Sequence, residues 1–475
     1  MRRTPWTRTP GRLIAAVAAI GITSFTLSAA PASAATRSAE VQGVTDDEIV
    51  VAAVVADLDT LRSKGLIAQP KLTVGNLVKN WQIYFDEVGP IGGRKVRVEP
   101  VVWDPLDSTS YDRACTRITQ DLKPFVALNS AGYRQSSVPC ITVDGQTPLL
   151  IGDPMYSGLL KASGNRLFSL PPPSDVSGTT TADVIAKAQL VSKTAKIGIL
   201  SANDIGIKAG GDALEAQLKE NGYDVVKKIE VNTLAADAAA TNRESAAAVE
   251  TFKSAGVDTV FVGIQFTNSQ GYFQELQRSG AGLKTFILDD AASMCSIFAA
   301  SRIPVEAAGT PCVTAFDTRA LPTKDGVKQD SEFEAECREV FDTGFGVQSQ
   351  PGVPSGDVTA GGVVYVEDMR PDYCTIMSVL IPAMKKAGKK MTWDRVARNM
   401  EAITSAPAAY LSDGEGGFSK KKHYFATDVH LVTLNPANAQ TPKGANGLFN
   451  GCPAPVNCWV PQLVGGQEWF PIRAG

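Results

Sequence analysis

Histidine is nearly absent from this chain, and this absence limits the chemistry that the protein can perform. Only His423 and His430 occur among 475 residues. Histidine is the most common general base in enzymes. If the two residues lie on one strand, their spacing of seven places them on opposite faces. We therefore do not expect them to share a metal ion or a proton relay.

The usual signatures of nucleotide, hydrolase and zinc sites are also missing. The sequence contains no G-x-S-x-G, no P-loop and no G-x-G-x-x-G after a predicted strand. It has no C-x2-C pair of the kind that binds zinc. After the first 34 residues, no stretch is long and apolar enough to span a bilayer. We predict that the protein is not an enzyme and uses no cofactor or metal.

The first 34 residues have the pattern of a secretory signal peptide. Four arginines, at positions 2, 3, 8 and 12, precede an apolar run over 13–30, and Ala32-Ser33-Ala34 offers small residues for cleavage. A membrane anchor is the alternative, but the run is short and interrupted by serine and threonine. No cysteine follows it, so a bacterial lipid anchor has no attachment point. We expect cleavage near Ala34 and a location in the periplasm or cell-wall space.

Charge and length narrow the class of protein further. Without the four arginines of the signal peptide, 42 basic residues face 49 acidic ones. A chain with this balance has no attraction for nucleic acid or for an anionic membrane. Its length exceeds what one hydrophobic core usually serves, so two domains are expected.

Eight cysteines, all located after residue 34, predict disulfide bonds. An even number in an exported protein is typical of a disulfide framework, although eight cysteines allow 105 pairings. We favour pairs of sequence neighbours. They are Cys115–Cys140, Cys295–Cys312, Cys337–Cys374 and Cys452–Cys458. Cys115 lies on the apolar face of a predicted helix and is therefore expected to be buried.

Residues 196–231 read as strand, turn, helix and strand, with Gly222 well placed to end the helix. The pattern repeats with strands near 257–263 and 284–289. The intervening helices are predicted to begin at a capping box, Thr241 to Glu244, and at a cap on Asn268. Four strands that alternate with three helices predict a parallel sheet with right-handed connections.

A second α/β layer is predicted earlier in the chain. Its strands fall near 47–55, 96–102, 125–128 and 148–151, with a helix over 74–88 and another after Ser108. Three prolines in 168–175 predict an extended passage between the layers, and 306–316 reads as another. Helices are expected over 333–341, over 359–384 with a break at Pro371, and over 393–403, followed by turns and strands over 413–434.

Three stretches resemble a known family. They are Val44-Thr-Asp-Asp-Glu-Ile-Val, Gly92-Gly-Arg-Lys-Val-Arg-Val-Glu leading to Trp103-Asp104, and the 196–222 unit; residues 333–403 resemble the late helices of the same family. It is the leucine/isoleucine/valine-binding-protein-like family, whose members are extracytoplasmic substrate-binding proteins of ABC transporters. The resemblance implies the type I periplasmic-binding-protein fold, with two Rossmann-like lobes of parallel sheet, a three-crossing hinge and a ligand enclosed between the lobes. It implies lobe I over 45–170 and 309–405, and lobe II over 171–308 and 406–475.

Candidate ligand-binding residues follow from a rule for open parallel sheets, which bind ligands beyond the carboxyl ends of their strands. The rule selects Asp57, Trp103, Asn129, Ser130, Ala131, Asp204, Gln265, Asn268 and Asp289. Asp204 has an alternative role as a helix cap, and Trp103 as a cleft wall. The resemblance implies that the Ser130 hydroxyl grips a ligand carboxylate.

Two positions depart from the amino-acid-binding members of that family. Ile205 precedes Gly206 where an aromatic residue is common, and 265–268 carries no charge where an acidic side chain usually meets the ligand's ammonium group. An uncompensated ammonium group in a closed cleft is costly. An amide, a carboxylic acid or an aromatic acid therefore stays as open as an amino acid.

These observations predict a secreted, monomeric binder that delivers one small solute to the membrane permease of an ABC importer. Two alternative functions are compatible with the same sequence. One is an extracellular hydrolase that uses cleft carboxylates, with Asp57, Asp59, Asp104 and Asp289 as candidates. The other is a sensory ligand-binding protein.

Overall fold

A computed structural model describes most of the chain beyond residue 40. The described residues are 41–63, 73–130, 132–232, 238–264, 266–289, 295, 309–317, 330–349, 355–360, 363–368, 371–434 and 459–473. They all belong to one compact unit, Val41–Gly475. The predicted signal peptide and the predicted Cys452–Cys458 pair lie outside the described residues.

The first sheet is five-stranded and entirely parallel. Its strands, in the spatial order β2-β1-β3-β4-β5, are β1 (Glu48–Ala56), β2 (Lys95–Trp103), β3 (Val126–Asn129), β4 (Leu149–Ile151) and β5 (Leu167–Ser169). The helices between them are α1 (Leu58–Ser63), α2 (Val74–Val88), α3 (Ser110–Thr116), which continues as a π-helical segment (Arg117–Leu122), and α4 (Ser157–Ser163). The bounds predicted for the first two strands agree with those of β1 and β2 to within a residue or two.

The central strands of this sheet are buried on both faces, so they carry continuous apolar runs rather than an alternating pattern. Five consecutive residues of β1, 51–55, are buried. Alternate β1 side chains enter two different cores, with Val51 and Val55 on one face and Ala52 and Val54 on the other. Helix α2 has the predicted bounds. The Thr73 hydroxyl caps its N-terminus by accepting a hydrogen bond from Asn76 N, and Gly89, with φ +71°, ends the helix.

The second sheet has eight strands and is mixed. Its parallel part is β6 (Lys196–Ala202), β7 (Asp224–Val231), β8 (Thr259–Val262), β9 (Lys284–Leu288) and β10 (Pro311–Thr314), in the order β10-β9-β8-β6-β7. The helices here are α5 (Ser174–Ala188), α6 (Ile205–Glu220), α7 (Ala238–Ser254) and α8 (Phe266–Ser279). The predicted alternation of four strands with three helices is confirmed, and Gly222 follows α6 with φ +79°.

Two predicted helix starts are wrong. Helix α7 already includes Ala238, three residues before the predicted cap Thr241, and the Glu244 carboxylate accepts a hydrogen bond from Asn232 N at 2.8 Å instead of closing a capping box. Helix α8 begins at Phe266, so Asn268 is a residue of its first turn and not its cap. In both cases a capping residue type lies inside the helix, where tertiary packing overrides local preference.

The C-terminal half supplies helices to the first core and further strands to the second sheet. The helices are α9 (Glu332–Phe345), α10 (Pro371–Ala387) and α11 (Trp393–Glu401). The strands are the hairpin β11 (Ser355–Ala360) and β12 (Val363–Asp368), the short pair β13 (Ala406–Pro407) and β14 (Glu415–Gly416), and β15 (Asp428–Leu434), β16 (Trp459–Pro461) and β17 (Trp469–Pro471). Strand β15 pairs antiparallel with β10, and β16 and β17 pair with β15.

The predicted helix over 359–384 is partly wrong. Within the predicted range, residues 359–360 and 363–368 belong to the antiparallel strands β11 and β12, and Pro371 begins α10 rather than breaking a helix. Proline is favoured at the first helical position because its missing N–H would have no partner there. The apolar run Val363-Val-Tyr-Val fits a strand through its β-branched and aromatic residues.

Three passages of chain cross between the sheets, as expected for a three-crossing hinge. The first, 170–173, contains Pro171, Pro172 and Pro173. The second, 315–317, follows β10. The third, 408–427, leads to β15. Backbone hydrogen bonds join them. Phe425 N donates to Leu170 O at 3.1 Å, and Ser412 N donates to Ala315 O at 2.7 Å.

The exact lobe bounds stay a prediction, with one difference to note. The predicted return to lobe I at 309 includes β10, yet β10 pairs with β9 and β15 in the second sheet. Conversely, Ala408, Ala409 and Leu411 come after the predicted bound at 405 and pack in the first core. A crossing passage has contacts on both sides, so a boundary drawn from the sequence falls a few residues away from the change of sheet.

Disulfides join three of the predicted pairs, Cys115–Cys140, Cys295–Cys312 and Cys337–Cys374. Cys115 is buried, as its place on the apolar face of α3 predicts. Its bridge ties the end of α3 to the first residue of a π-helical segment, Cys140–Asp144, that precedes β4. The Cys337–Cys374 bridge ties α9 to α10 within the first core.

Candidate functional site

An aromatic cluster covers the carboxyl ends of the first sheet. Trp103 ends β2, and its ring centroid lies 5.0 Å from Tyr111 and 5.9 Å from Tyr133, which are 5.4 Å from each other. Gly132 has φ +83°, and a Cβ there would approach the Trp103 ring to 3.4 Å. The backbone after β3 therefore passes directly over the indole.

One basic side chain adjoins this cluster. The Arg134 guanidinium carbon lies 4.4 Å from the centroid of the Tyr111 ring, a cation–π distance. Burial raises the pKa of Tyr111 to about 12, and the negative charges of Asp153, Asp204 and Asp104 act in the same direction, whereas Arg134 opposes them. Tyr111 thus stays a neutral phenol, in a neighbourhood with more carboxylates than cations.

Two buried polar atoms at the carboxyl ends of the first sheet's strands have no hydrogen-bond partner among the described residues. They are Trp103 Nε1, a donor, and Asn129 Oδ1, an acceptor. The Asn129 amide nitrogen is engaged, because it donates to Val54 O at 2.7 Å. An unsatisfied buried polar atom is costly unless a water or ligand completes it. The first sheet's edge therefore offers one donor and one acceptor to such a group.

The carboxyl end of β6 in the second sheet faces this cluster through Asp204. This side chain caps α6 by accepting a hydrogen bond from Gly206 N at 3.0 Å. Burial raises the pKa of Asp204, while the bond from Gly206 and the charge of Arg134 lower it. The charge of Arg134 in the first lobe thus acts on a carboxylate in the second. The loops that follow the strands of the two sheets therefore lie close together here.

Gln135 makes direct contact between the two lobes at the same place. It follows Arg134 in the loop between β3 and β4, and it is buried. Its amide donates to the Ser174 hydroxyl at the start of α5, at 3.2 Å, and accepts from Tyr156 N at 3.0 Å. It also packs against Gly206, whose missing Cβ leaves the room for it.

The predicted site residues do not all converge. Trp103, Asn129 and Ser130 lie at the edge of the first sheet, and the Ser130 hydroxyl accepts from Tyr373 OH at 3.2 Å. Asp57 caps α1 through Thr60 N at 2.9 Å. Ala131, Gln265 and the side chain of Asn268 lie outside the described residues.

Asp289 faces the crossings rather than the aromatic cluster. It accepts from the Thr314 hydroxyl at 2.5 Å and lines a small cavity with Pro171, Pro172 and Phe316. Two sulfurs, Cys295 and Cys312, lie close to it, but they are bonded to each other, so this group is not a thiolate metal site.

Sequence reasoning missed Tyr111, Tyr133, Arg134 and Gln135. The helical spacing of Tyr111 predicts only a core position on α3, where it does pack, but its ring also contacts Trp103 at the end of β2. Tyr133, Arg134 and Gln135 directly follow the predicted residues 129–131. Extending the strand-end rule by four residues would have included them, because the loop after β3 does not turn away until the short helix Gln135–Ser137.

The two histidines are not on one strand, so the condition on which their opposite faces were predicted is not met. Only His430 belongs to β15, where its Nε2 lies 2.8 Å from Phe316 O and its ring stacks on Trp469. His423 lies in the third crossing, with Nε2 3.1 Å from a Glu401 carboxylate oxygen. The physical reason is a change of pairing partner, because Tyr424 and Ala426 form isolated bridges with Ser169 and Gly416 before β15 begins at Asp428.

Comparison with solved structures identifies the fold. A solute-binding protein of an ABC transporter from Rhodopseudomonas palustris BisB5, in complex with 3,4-dihydroxybenzoic acid, matches with TM-score 0.60 at 13% identity, over 90% of this chain and 98% of that one. An ABC transporter substrate-binding protein from Desulfitobacterium hafniense in complex with Leu matches with TM-score 0.52 at 12% identity, over 85% and 100%. A leucine-binding protein from Thermotoga maritima matches with TM-score 0.57 at 11% identity, over 81% and 95%.

No protein-family profile matches the chain, and no curated protein matches it. The similarity to the solved structures shows that the chain has the two-sheet fold of the ABC transporter solute-binding proteins, the type I periplasmic-binding-protein fold. This confirms the fold predicted from the resemblance. Within the part of the chain that the structure describes, no helix has the length and apolar character to cross a membrane.

Proposed function

We propose that the protein is an extracytoplasmic solute receptor, which binds one small molecule between its lobes and delivers it to the permease of an ABC importer. The observation that carries this proposal is the meeting of the two strand-end edges. Arg134 and Gln135 of the first lobe face Asp204 and Gly206 of the second. Ligands of open parallel sheets bind at such edges, and lobes joined by crossings close on them by hinge motion.

The chemistry of the edges supports a small solute that is partly planar and partly polar. Tyr111, Tyr133 and Trp103 provide aromatic surface, and Trp103 Nε1 and Asn129 Oδ1 provide a free donor and acceptor. Amino acids, amides and aromatic or other organic acids all fit this description. The solved neighbours include complexes with a leucine and with a dihydroxybenzoic acid, which are members of two of these classes.

Hydrolysis is not favoured, because the candidate carboxylates are engaged in structural hydrogen bonds. Asp57 caps α1 and Asp59 accepts from the Arg62 guanidinium at 2.8 Å. Asp104 Oδ1 accepts from Leu106 N at 2.8 Å, and Asp289 accepts from the Thr314 hydroxyl. A pair of carboxylates for glycoside hydrolysis needs one acid with a raised pKa beside a second free carboxylate. Among these four, none has both hydrogen-bonding freedom and such a neighbour in the described part of the chain.

A thermal-shift screen tests the proposal. The mature protein is heated with amino acids, amides, hydroxybenzoates and short organic acids, each at 1 mM. A ligand with a micromolar Kd stabilises the native state by about 4 kcal/mol at that concentration, which is several degrees for a chain of this size. A shift with one class and none with the others supports a receptor. The absence of a shift with every class contradicts it, and turnover of a compound favours an enzyme.

Secretion belongs to the same proposal and has its own test. The full-length gene is expressed in a bacterial host with an export pathway, and the N-terminus of the exported protein is sequenced. Cleavage after Ala34 is expected from the small residues at 32–34. A protein that keeps residues 1–34 and stays with the membrane would support an anchor instead.

A further inference from the structure

Gln135 links the two lobes beside the proposed solute cleft, and it is not among the groups proposed above to contact the solute. It begins the short helix Gln135–Ser137 in the loop between β3 and β4 of the first lobe. Its side chain is only 6% exposed. A long polar side chain is rarely buried to this extent unless both ends of its amide find partners.

Each end of the amide does find a partner, and the partners lie in different lobes. The amide oxygen accepts from Tyr156 N at 3.0 Å, in the first lobe just before α4. The amide nitrogen donates to the Ser174 hydroxyl at 3.2 Å, at the first residue of α5 in the second lobe. Both bonds are buried or partly buried, so separating the lobes would expose or orphan the nitrogen.

Gly206 provides the third contact, and any side chain at this position would have to displace the Gln135 amide. A Cβ on Gly206 would lie 2.0–2.1 Å from the amide atoms of Gln135, a distance that no real contact shows. Gly206 is the second residue of α6 and has ordinary helical backbone, so a left-handed conformation is not the reason for glycine. The first turn of α6 thus forms a seat for the Gln135 amide.

We propose that Gln135 is an interlobe latch, whose amide rests on Gly206 and Ser174 of the second lobe and biases the ligand-free protein toward the closed arrangement. The neighbouring pair acts in the same sense, because the positive charge of Arg134 favours the carboxylate of Asp204 across the same gap. Opening the cleft breaks the latch, and solute entry then competes with its closure. The inference rests on the hinge motion of the proposed function, but its test needs no solute.

The test is small-angle X-ray scattering of the ligand-free mature protein. In Q135A the ratio of closed to open molecules is expected to fall about fivefold, the equivalent of one lost hydrogen bond at about 1 kcal/mol, and the radius of gyration rises. G206A should have the same effect, because its methyl group displaces the Gln135 amide. Q135M fills the seat without hydrogen bonds and is expected to give a smaller increase.

Gln82→Ala is the matched control. The Gln82 amide also makes partly buried hydrogen bonds, but its partners all lie in the first lobe: Val98 N at 2.9 Å, Val96 O at 3.2 Å and Asp86 Oδ1 at 2.8 Å. Q82A should leave the radius of gyration unchanged while costing a similar amount of stability. Thermal unfolding of each variant verifies that it is folded before scattering is compared.

The outcomes separate the latch from the proposed function. Unchanged radii in folded Q135A and G206A would overturn the latch, and so would an equal increase in Q82A. If the latch variants expand but no solute shifts the melting temperature, the latch stands and the receptor proposal fails. If a solute binds and no variant expands, the receptor stands and the latch fails.

Discussion

The carboxyl ends of the strands of the first sheet face those of the second sheet, and the two surfaces consist of different groups. The edge of the first sheet consists of large side chains, namely Trp103, Tyr111 and Tyr133, and it holds buried polar atoms without a described partner. The edge of the second sheet at α6 consists of backbone and of a carboxylate, Asp204, that already bonds the helix N-terminus. The first edge therefore has binding groups to offer, and the second has a closely fitting surface to close over them.

This difference predicts which lobe determines the specificity for the solute. Groups that are already satisfied gain little from a ligand, whereas an unsatisfied buried donor or acceptor gains a full hydrogen bond. We therefore expect side-chain changes in the first lobe to alter which solute binds. Changes in the second lobe at α6 should alter how tightly and how fast the cleft closes.

The largest expected effect comes from removing the aromatic wall. W103A deletes a buried side chain that contacts two other rings, and it should reduce the free energy of unfolding by about 3–5 kcal/mol. Chemical denaturation measures this loss. W103F is the control for solute binding. It retains a ring but lacks Nε1, which has no described partner, so it should fold nearly as well and bind the solute more weakly.

The disulfides offer a second comparison between the lobes. Cys337 and Cys374 in the first core are 37 residues apart, and Cys295 and Cys312 in the second are 17 apart. Loop-closure entropy gives about 3.9 kcal/mol for the longer loop and about 3.2 kcal/mol for the shorter one. Paired Cys→Ala variants, measured by denaturant unfolding under oxidising conditions, should show the larger loss in the first core. An equal or reversed order would contradict the entropic account.

Asp204 tests whether the second edge serves as a cap or as a ligand group. D204A removes the cap of α6 and should cost about 1 kcal/mol. D204N retains a capping side chain and removes a charge that burial disfavours, since the pKa of Asp204 is raised, so its stability at neutral pH should equal or exceed that of the wild type. Loss of solute binding in D204N with stability intact would instead assign Asp204 to the ligand.

Lys422, in the third crossing, should give the smallest effect, which depends on pH. Burial lowers the pKa of its ammonium group to about 8 from 10.5. Between these two values the unfolded chain binds more protons than the folded one, so the free energy of unfolding should rise with pH over that window. The amine is partly exposed, so the gain is on the order of 1 kcal/mol. K422M should remove this rise, and an identical pH dependence in both proteins would contradict the assignment.

The sequence predicts the parallel layers well because their signals are local. The apolar run of β1, the cap and stripe of α2 and the glycine after α6 each follow from a few neighbouring residues. The hairpin at 355–368 and the early start of α7 are mispredicted because the residues there fit two readings, an apolar run that suits either a helix or a strand and capping residue types that also occur within a helix. The disulfide pairs follow from sequence proximity in this chain, although nothing in the spacing alone requires it.

The candidate site is only partly accessible from the sequence, for a physical reason. The strand-end rule finds Trp103, Asn129 and Asp204, because each directly follows or ends a strand. It cannot show that Asp289 faces the crossings, or that Gln135 reaches Gly206, because these facts depend on how two sheets meet. Side chains in long loops after strands, such as Arg134, need the tertiary structure to be placed.

Hydrogen exchange of the mature protein with a bound solute tests the central claim most directly. The claim is that one small molecule is held between the lobes, against residues 103–111 and 129–135 on one side and 203–207 on the other. We predict that a solute found by the thermal-shift screen slows amide exchange in both sets of segments together. Slower exchange confined to one lobe, or to residues far from both edges, would contradict the account.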